Sequence, residues 1–240
     1  MSKRERVASI KRTFRIFLIR HGESWEDVDK SIYERIEDAS VTLTEKGQDQ
    51  ASSLGDALAT KKLSSDVRAF ISSGVRSAQT YEIMASKWRD VECRVQEEPL
   101  IRKQNWGSFP VSRRESIEEE RYRVGVFFYK FPNGESGKDV YDRITRFVDD
   151  LEFQYRHTQL PNDVIIVTHG LELRLLLMRL FRWSVEEFEG LAGPANGCCV
   201  TILHSGGANY VLEEPYPAYQ GAITRAGRSR HASDGISRTR

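Results

Sequence analysis

"FLIRHGES", residues 17–24, decides how the rest of the chain is read. Residues 14–19 (FRIFLI) are short, aromatic and β-branched, which predicts a buried strand. That strand runs without a break into Arg20, His21 and Gly22. A cation, an imidazole and a glycine at the end of a core strand suggest a reactive group delivered to the edge of a sheet.

A second strand ends in the same way, and a third ends beside an arginine. Residues 163–170 (DVIIVTHG) are the most buried-looking strand in the chain, and they end in His169 and Gly170. Residues 66–71 (DVRAFI) predict another strand, which runs into "SSGVRSAQT" at 72–80. A helix is expected to begin there near Val75, with Arg76 just inside it.

Helices are predicted between these strands. Residues 43–60 place Ala51, Leu54 and Leu58 on one face behind an N-cap at Thr44. Ser136 is expected to cap a long helix, 137–156, with Tyr141, Ile144, Val148, Leu151 and Tyr155 in one stripe. An apolar helix follows His169, and Ser184 with Glu187 reads as a capping box. Residues 91–96 predict a short strand, and "CCVTILH" and "NYVLEE" predict two late strands joined by the turn "SGGA". The cluster "SRRESIEEERYR" within the irregular stretch 100–136 reads as a solvated helix face. Strands alternating with helices make the fold class α/β: three layers, a mostly parallel sheet with helices on both faces.

With 240 residues the chain can enclose a sizeable core. Its net charge of +1 lacks the basic excess of a nucleic-acid partner. No apolar run approaches the roughly 20 residues that cross a bilayer, so no membrane is expected. The basic start, residues 1–13, lacks the apolar core of a secretory signal; it is Arg-rich enough for an organelle presequence, but Glu5 and the early strand speak against one. Cys93, Cys198 and Cys199 form neither a disulfide framework nor a zinc ribbon, which points to a reduced, cytoplasmic setting. The organisation expected is a basic extension (1–13), one domain (14–215) and a disordered Arg-rich tail (216–240).

Ligands of open α/β sheets bind beyond the carboxyl ends of the strands. Arg20, His21, Arg76 and His169 are therefore expected to converge on one crevice. Guanidinium forks hold phosphate oxygens in pairs. Gly22 and Gly170 would let backbone N–H groups approach an anion. One imidazole can attack phosphorus, and the second can stabilise charge on the phosphoryl oxygens.

Four motifs in this order, "RHGES" (20–24), "LTEKGQDQA" (43–51), "SSGVRSAQT" (72–80) and "VTHG" (167–170), resemble the histidine phosphatase superfamily of phosphoglycerate-mutase-like proteins. The resemblance spans about residues 14–204. Residues 127–144 (FFYKFPNGESGKDVYDRI) look like a branch of broadly acting mutase-like phosphatases. It implies the phosphoglycerate-mutase-like fold, His21 as a phosphorylated nucleophile (a phosphohistidine), and Arg20, Arg76 and His169 around the phosphate, with Gly170 beside it. It implies no metal and no organic cofactor. The partner would be a small phosphorylated substrate or a phosphoprotein, and the family admits a homodimer.

The sequence departs from the family pattern at two site positions. The first motif usually ends in asparagine seven residues after its arginine, where this chain has Asp27. An anion there would repel phosphate. The family's acidic proton donor falls three residues before the aromatic of "WG", where this chain has Lys103. Three readings of Lys103 follow: it donates the proton itself, its pKa lowered by Arg20 and Arg76; it forms a charge-swapped pair with Asp27 in an enzyme limited to good leaving groups; or the site binds phosphate and barely turns over. Glu135 is a substitute donor to test. Gly74 replaces a common proline, a backbone matter expected to be harmless.

The reading is thus a phosphomonoesterase of reduced activity, with an impaired phospho-ligand-binding or regulatory module as the alternative. A phosphoglycerate mutase, an isomerase, is less favoured, because 100–136 does not resemble the longer lid of those enzymes. "GESGKD" (134–139) has the wrong glycine spacing for a phosphate loop and reads as a turn before the next helix.

Overall fold

Alternating side-chain directions explain why the central strands are apolar throughout. In the computed structural model, which describes residues 14–157, 160–204 and 210–217, strand β1 spans Phe14–Arg20. Phe14, Ile16 and Leu18 enter one core, and Phe17 and Ile19 enter the other. A strand covered on both faces has no polar side to show. β4 (Asp163–Thr168) divides in the same way, Val164 and Ile166 against Ile165 and Val167.

The sheet has six strands in the order β3-β2-β4-β1-β5-β6. The remaining strands are β2 (Asp66–Ile71), β3 (Glu92–Glu97), β5 (Cys199–His204) and β6 (Tyr210–Leu212). β3, β2, β4 and β1 run parallel, and β5 is antiparallel to both of its neighbours. The turn expected at 205–208 lies outside the described residues, as do residues 1–13 and the tail from 218 onward.

Helices cover both faces. The short α1 is Trp25–Val28, followed by α2 (Glu45–Thr60) and α3 (Val75–Ala85). Leu54, Leu58, Tyr81 and Met84 of α2 and α3 close one core. α4 is Arg114–Val124, α5 is Gly137–Arg156, α6 is Gly170–Phe181 and α7 is Val185–Glu189. Val140, Ile144, Phe147, Val148 and Leu151 of α5 join Leu173 and Leu175–Met178 of α6 in the second core. Each such side chain contributes about 1.5–3 kcal/mol by leaving water. The caps are where the sequence puts them: Thr44 accepts from the Gly47 amide, and Ser136 and Ser184 form capping boxes with Asp139 and Glu187.

Two expectations need correction. The charged cluster is not simply a solvated face: α4 buries Ile117 and Arg121. Arg121 lies over Trp106 (5.2 Å) and Phe131 (5.6 Å) and donates to Gln104 Oε1 at 3.2 Å. Gly74 is more than a neutral replacement for proline: its φ of 137° at the N-cap of α3 is closed to proline. Among the described residues, no helix is long and apolar enough to cross a membrane.

Candidate active site

Strand register builds the site. Arg20 of β1 pairs with Thr168 of β4, so the next residues, His21 and His169, stand side by side. Ile71 of β2 pairs with Val167, which brings Ser72 level with Thr168. Backbone bonds continue the ladders past the strand ends, from His21 N to Thr168 O (3.0 Å) and from Ser72 N to Val167 O (2.9 Å). Three strand ends thereby meet at one carboxyl edge.

The imidazole rings of His21 and His169 lie 5.0 Å apart at 66°. Both side chains are buried, and they line a cavity of about 320 Å³ together with Arg20, Asp27, Lys103 and Gly170. His21 Nδ1 lies 2.7 Å from the Gly22 carbonyl oxygen. A carbonyl only accepts, so Nδ1 carries the proton and the Nε2 lone pair is left for attack. Burial, then Arg76 and Arg20, hold the His21 imidazole down to about 3. It is neutral at physiological pH, as a nucleophile must be.

His169 is also held well below the usual imidazole range, first by burial and then by Arg76. Its Nε2 lies 2.7 Å from Ser72 Oγ, while Nδ1 has no partner. When the Ser72 hydroxyl donates to Nε2, and not to the Ser73 carbonyl 3.4 Å away, the single ring proton sits on Nδ1 and is free to donate to an incoming oxygen.

The two arginines are held differently. Arg20 donates to the Pro194 carbonyl (2.7 Å) and to Asp27 Oδ1 (2.9 Å). Arg76 is fully buried and does not line the cavity, although its charge acts on both rings more strongly than that of Arg20. It donates to the Asp38 carbonyl at 2.7 Å and to Asp38 Oδ2 at 3.0 Å. The Nε atoms of both arginines are unpartnered.

Asp27 is not a bare anion facing the cavity. It accepts from Arg20, from the Ser24 amide and hydroxyl (both 2.9 Å) and from Asn196 Nδ2 (3.1 Å). Burial pushes its carboxyl up, but the Ser24 amide and Arg20 outweigh that and keep it below the ordinary range.

Lys103 does not pair with Asp27, so the charge-swap expectation is wrong. Its ammonium contacts Glu26 Oε2, Tyr33 OH (2.5 Å) and Asp38 Oδ1 (2.7 Å). These partners come from the segment 24–42, which supplies carboxylates to Lys103 beside the expected neighbour Arg76; the two cations share Asp38 Oδ1. Burial would raise the Asp38 carboxyl, but Lys103 and Arg76 hold it down to about 2. Glu135 is no substitute donor: it accepts from Arg102 (2.8 Å), Arg143 (3.1 Å) and the Asn105 amide (2.9 Å). Burial pushes its carboxyl up, and Arg143 and the Asn105 amide bring it below the usual range.

The expected role of Gly22 also changes. Its amide donates to Thr80 Oγ1 at 3.0 Å, so it is already used. The glycine is needed for close packing, because a β-carbon there would lie 2.4 Å from Gly47 O.

A second cavity of about 570 Å³ adjoins the first and shares Lys103, Gln104, Trp106 and Arg114 with it. It is walled by residues 33–39 and 102–109, within the stretches that the sequence left irregular. Glu26, Tyr33, Asp38, Ser72, Glu172 and Asn196 are the site neighbours that sequence reading missed. Ser72 and Glu172 had a usable signal, since they lie one and four residues past the ends of β2 and β4.

Known proteins are similar to this chain in sequence and in fold. The model of the histidine phosphatase superfamily (branch 1) matches residues 16–215. The phosphoglycerate mutase-like protein AT74 of Arabidopsis thaliana is 37% identical over 212 residues, covering 82% of this chain and 67% of that protein. The broad-range acid phosphatase DET1 of Saccharomyces cerevisiae is 38% identical over 134 residues, 54% of this chain and 40% of its own length. Among solved structures, a mycobacterial glucosyl-3-phosphoglycerate phosphatase in complex with VO3 superposes with a TM-score of 0.64 at 21% identity, covering 83% of this chain and 97% of that one.

Proposed function

The chain belongs to the histidine phosphatase superfamily, and from that premise we propose that it hydrolyses phosphomonoesters through a phosphohistidine at His21. The observation that carries this reading is the pair of buried imidazoles with ring centroids 5.0 Å apart, the first with its proton committed to the Gly22 carbonyl. A neutral Nε2 fixed at a strand end meets the two demands on an in-line nucleophile, a free lone pair and a set position.

His21 Nε2 attacks phosphorus as the bond to the leaving oxygen breaks, and water then displaces the histidine. Arg20 holds a phosphoryl oxygen with its guanidinium, and the buried charge of Arg76 favours the anion. His169 donates to an oxygen on which charge grows. The substrate is a small phosphorylated molecule or a phosphoprotein. The name of the yeast relative, a broad-range acid phosphatase, supports hydrolysis over mutase chemistry.

Turnover is reduced because Lys103 occupies the position of the family's acidic donor. Its contacts with Glu26 and Asp38 favour a structural role for that ammonium. The same contacts support a second reading, in which the site retains phosphorylated ligands and regulates without turning them over. The test is phosphate release from a panel of phosphorylated metabolites, with His21→Ala as the blank, together with intact-mass detection of a phosphoryl group on the protein. Labelling and release that both vanish in the variant are expected. Ligand binding without label would favour the second reading.

A further inference from the structure

Loss of an alkoxide near neutral pH needs a proton, and general-acid help of that kind is worth about 10²–10⁴-fold. Four carboxylates line the histidine cavity: Glu26, Asp27, Glu118 and Glu172. Three of them are occupied. Glu26 accepts from Lys103 and Tyr33, Asp27 from Arg20, Ser24 and Asn196, and Glu118 from Arg114 at 3.0 Å.

Glu172 is different. It sits in the first turn of α6, three residues after His169, with 0% of its surface exposed. Neither of its oxygens has a hydrogen-bond partner. Its ion-pair neighbour, Arg143 of α5, stands 3.5 Å away and already donates to Glu135 and to the Leu100 carbonyl. A carboxylate buried with Arg143 at 3.5 Å and no properly formed hydrogen bond is poorly compensated, and the neutral acid is the cheaper form. Burial pushes the Glu172 carboxyl up, outweighing Arg143, its own amide, the Gln104 amide and Lys103, all of which act the other way.

We propose that Glu172 is the general acid that protonates the leaving group, an inference that rests on the phosphohistidine reading. In the first half-reaction the Glu172 O–H passes its proton to the leaving oxygen as the phosphorus–oxygen bond breaks and the bond from His21 Nε2 to phosphorus forms. The carboxylate so formed has Arg143 as its counter-ion. In the second half-reaction that carboxylate takes a proton from water as the water oxygen bonds to phosphorus and the phosphorus–nitrogen bond breaks. Phosphate leaves, and both groups return to their starting states with no other reactant.

Glu172→Gln keeps the shape and removes the acid. Wild type and variant are assayed on aryl phosphates of graded leaving-group pKa and on an alkyl phosphate, over about pH 5–9. The variant should lose about tenfold or more on the alkyl ester and less than about twofold on the most acidic aryl ester, and should lack the basic limb of the wild-type profile. An undiminished alkyl rate would overturn the assignment. So would an equal loss across the series, as a purely structural role would give, or a wild type inert to alkyl esters. Should the glutamine variant not fold, Glu172→Asp gives the decision: it retains an acid, so a shifted basic limb supports the assignment and an unmoved one overturns it. Mass labelling of His21 by an aryl phosphate separates the two readings. Label with unchanged alkyl turnover in Glu172→Gln removes Glu172 alone, whereas no label in wild type removes the phosphohistidine as well.

Discussion

Gly22 and Gly47 pack backbone against backbone: a β-carbon on Gly22 would stand 2.4 Å from Gly47 O, and one on Gly47 would stand 1.9 Å from Glu23 O. The contact locks the start of α2 onto the segment that follows His21. Thr44 reinforces it, since its amide donates to the Glu23 carbonyl at 3.0 Å.

Gly47→Ala should therefore be destabilising, although an alanine inside a helix ordinarily gains up to about 1 kcal/mol over glycine. The obstructing atoms are backbone and cannot swing away. A loss of about 1–3 kcal/mol is expected from denaturant unfolding, with a fall in turnover as His21 shifts. An unchanged midpoint would mean that the two segments separate without cost.

Asp38 holds Arg76 and Lys103, two cations that would otherwise attract phosphate. Its side chain is 41% exposed, so its hold on them is modest. Asp38→Asn should tighten inhibition by orthovanadate or inorganic phosphate about fivefold, the equivalent of about 1 kcal/mol. Weaker inhibition would show that Asp38 positions Arg76 for the anion instead of competing with it.

Lys103→Glu would set a third carboxyl beside Glu26 and Asp38. Like charges at that distance raise the pKa of one of the group, which makes it a better acid near neutrality. Turnover of alkyl phosphates should rise about tenfold or more, with little change for activated aryl esters. Steady-state rates across a leaving-group series decide the matter, and an absence of gain would mean that the site already has its acid, as Glu172 would supply, or that the deficit lies in Asp27 or the shape of the cavity.

Acid should destabilise the fold through the two histidines. The His21 imidazole titrates near 3 when folded and near 6.5 when unfolded, so between those values the unfolded chain binds the extra proton. Through His21, stability is intact above about pH 6.5 and falls by about 1.4 kcal/mol per pH unit as pH drops through that window. His169 shifts in the same direction. Urea unfolding at about pH 7.5 and 4.5 should show a smaller decline for His21→Gln than for wild type. Equal declines would remove the buried, neutral His21 from the account.

Much was legible from short-range patterns. β2 begins and ends where "DVRAFI" does, and Thr44, Ser136 and Ser184 cap the helices that they were expected to cap. These signals depend on residues within one or two turns of each other. The solvated reading of α4 holds for most of its charged residues but misses Ile117 and Arg121, because charge describes a segment and not its surroundings: Arg114 and Arg121 are charged and nevertheless lie over Trp106.

The amino-acid sequence by itself determined which residues end the core strands, and so which side chains reach the sheet edge: Arg20, His21 and His169. Pairing of β1 with β4 and of β2 with β4 turned those endings into one site, because register converts positions far apart in the chain into neighbours. Only the tertiary structure gave Lys103 its carboxylate partners, set Asp27 on Arg20 and left Glu172 buried without a hydrogen bond. Ionisation and partnership are set by burial and by groups brought in from distant segments, and no local pattern encodes either.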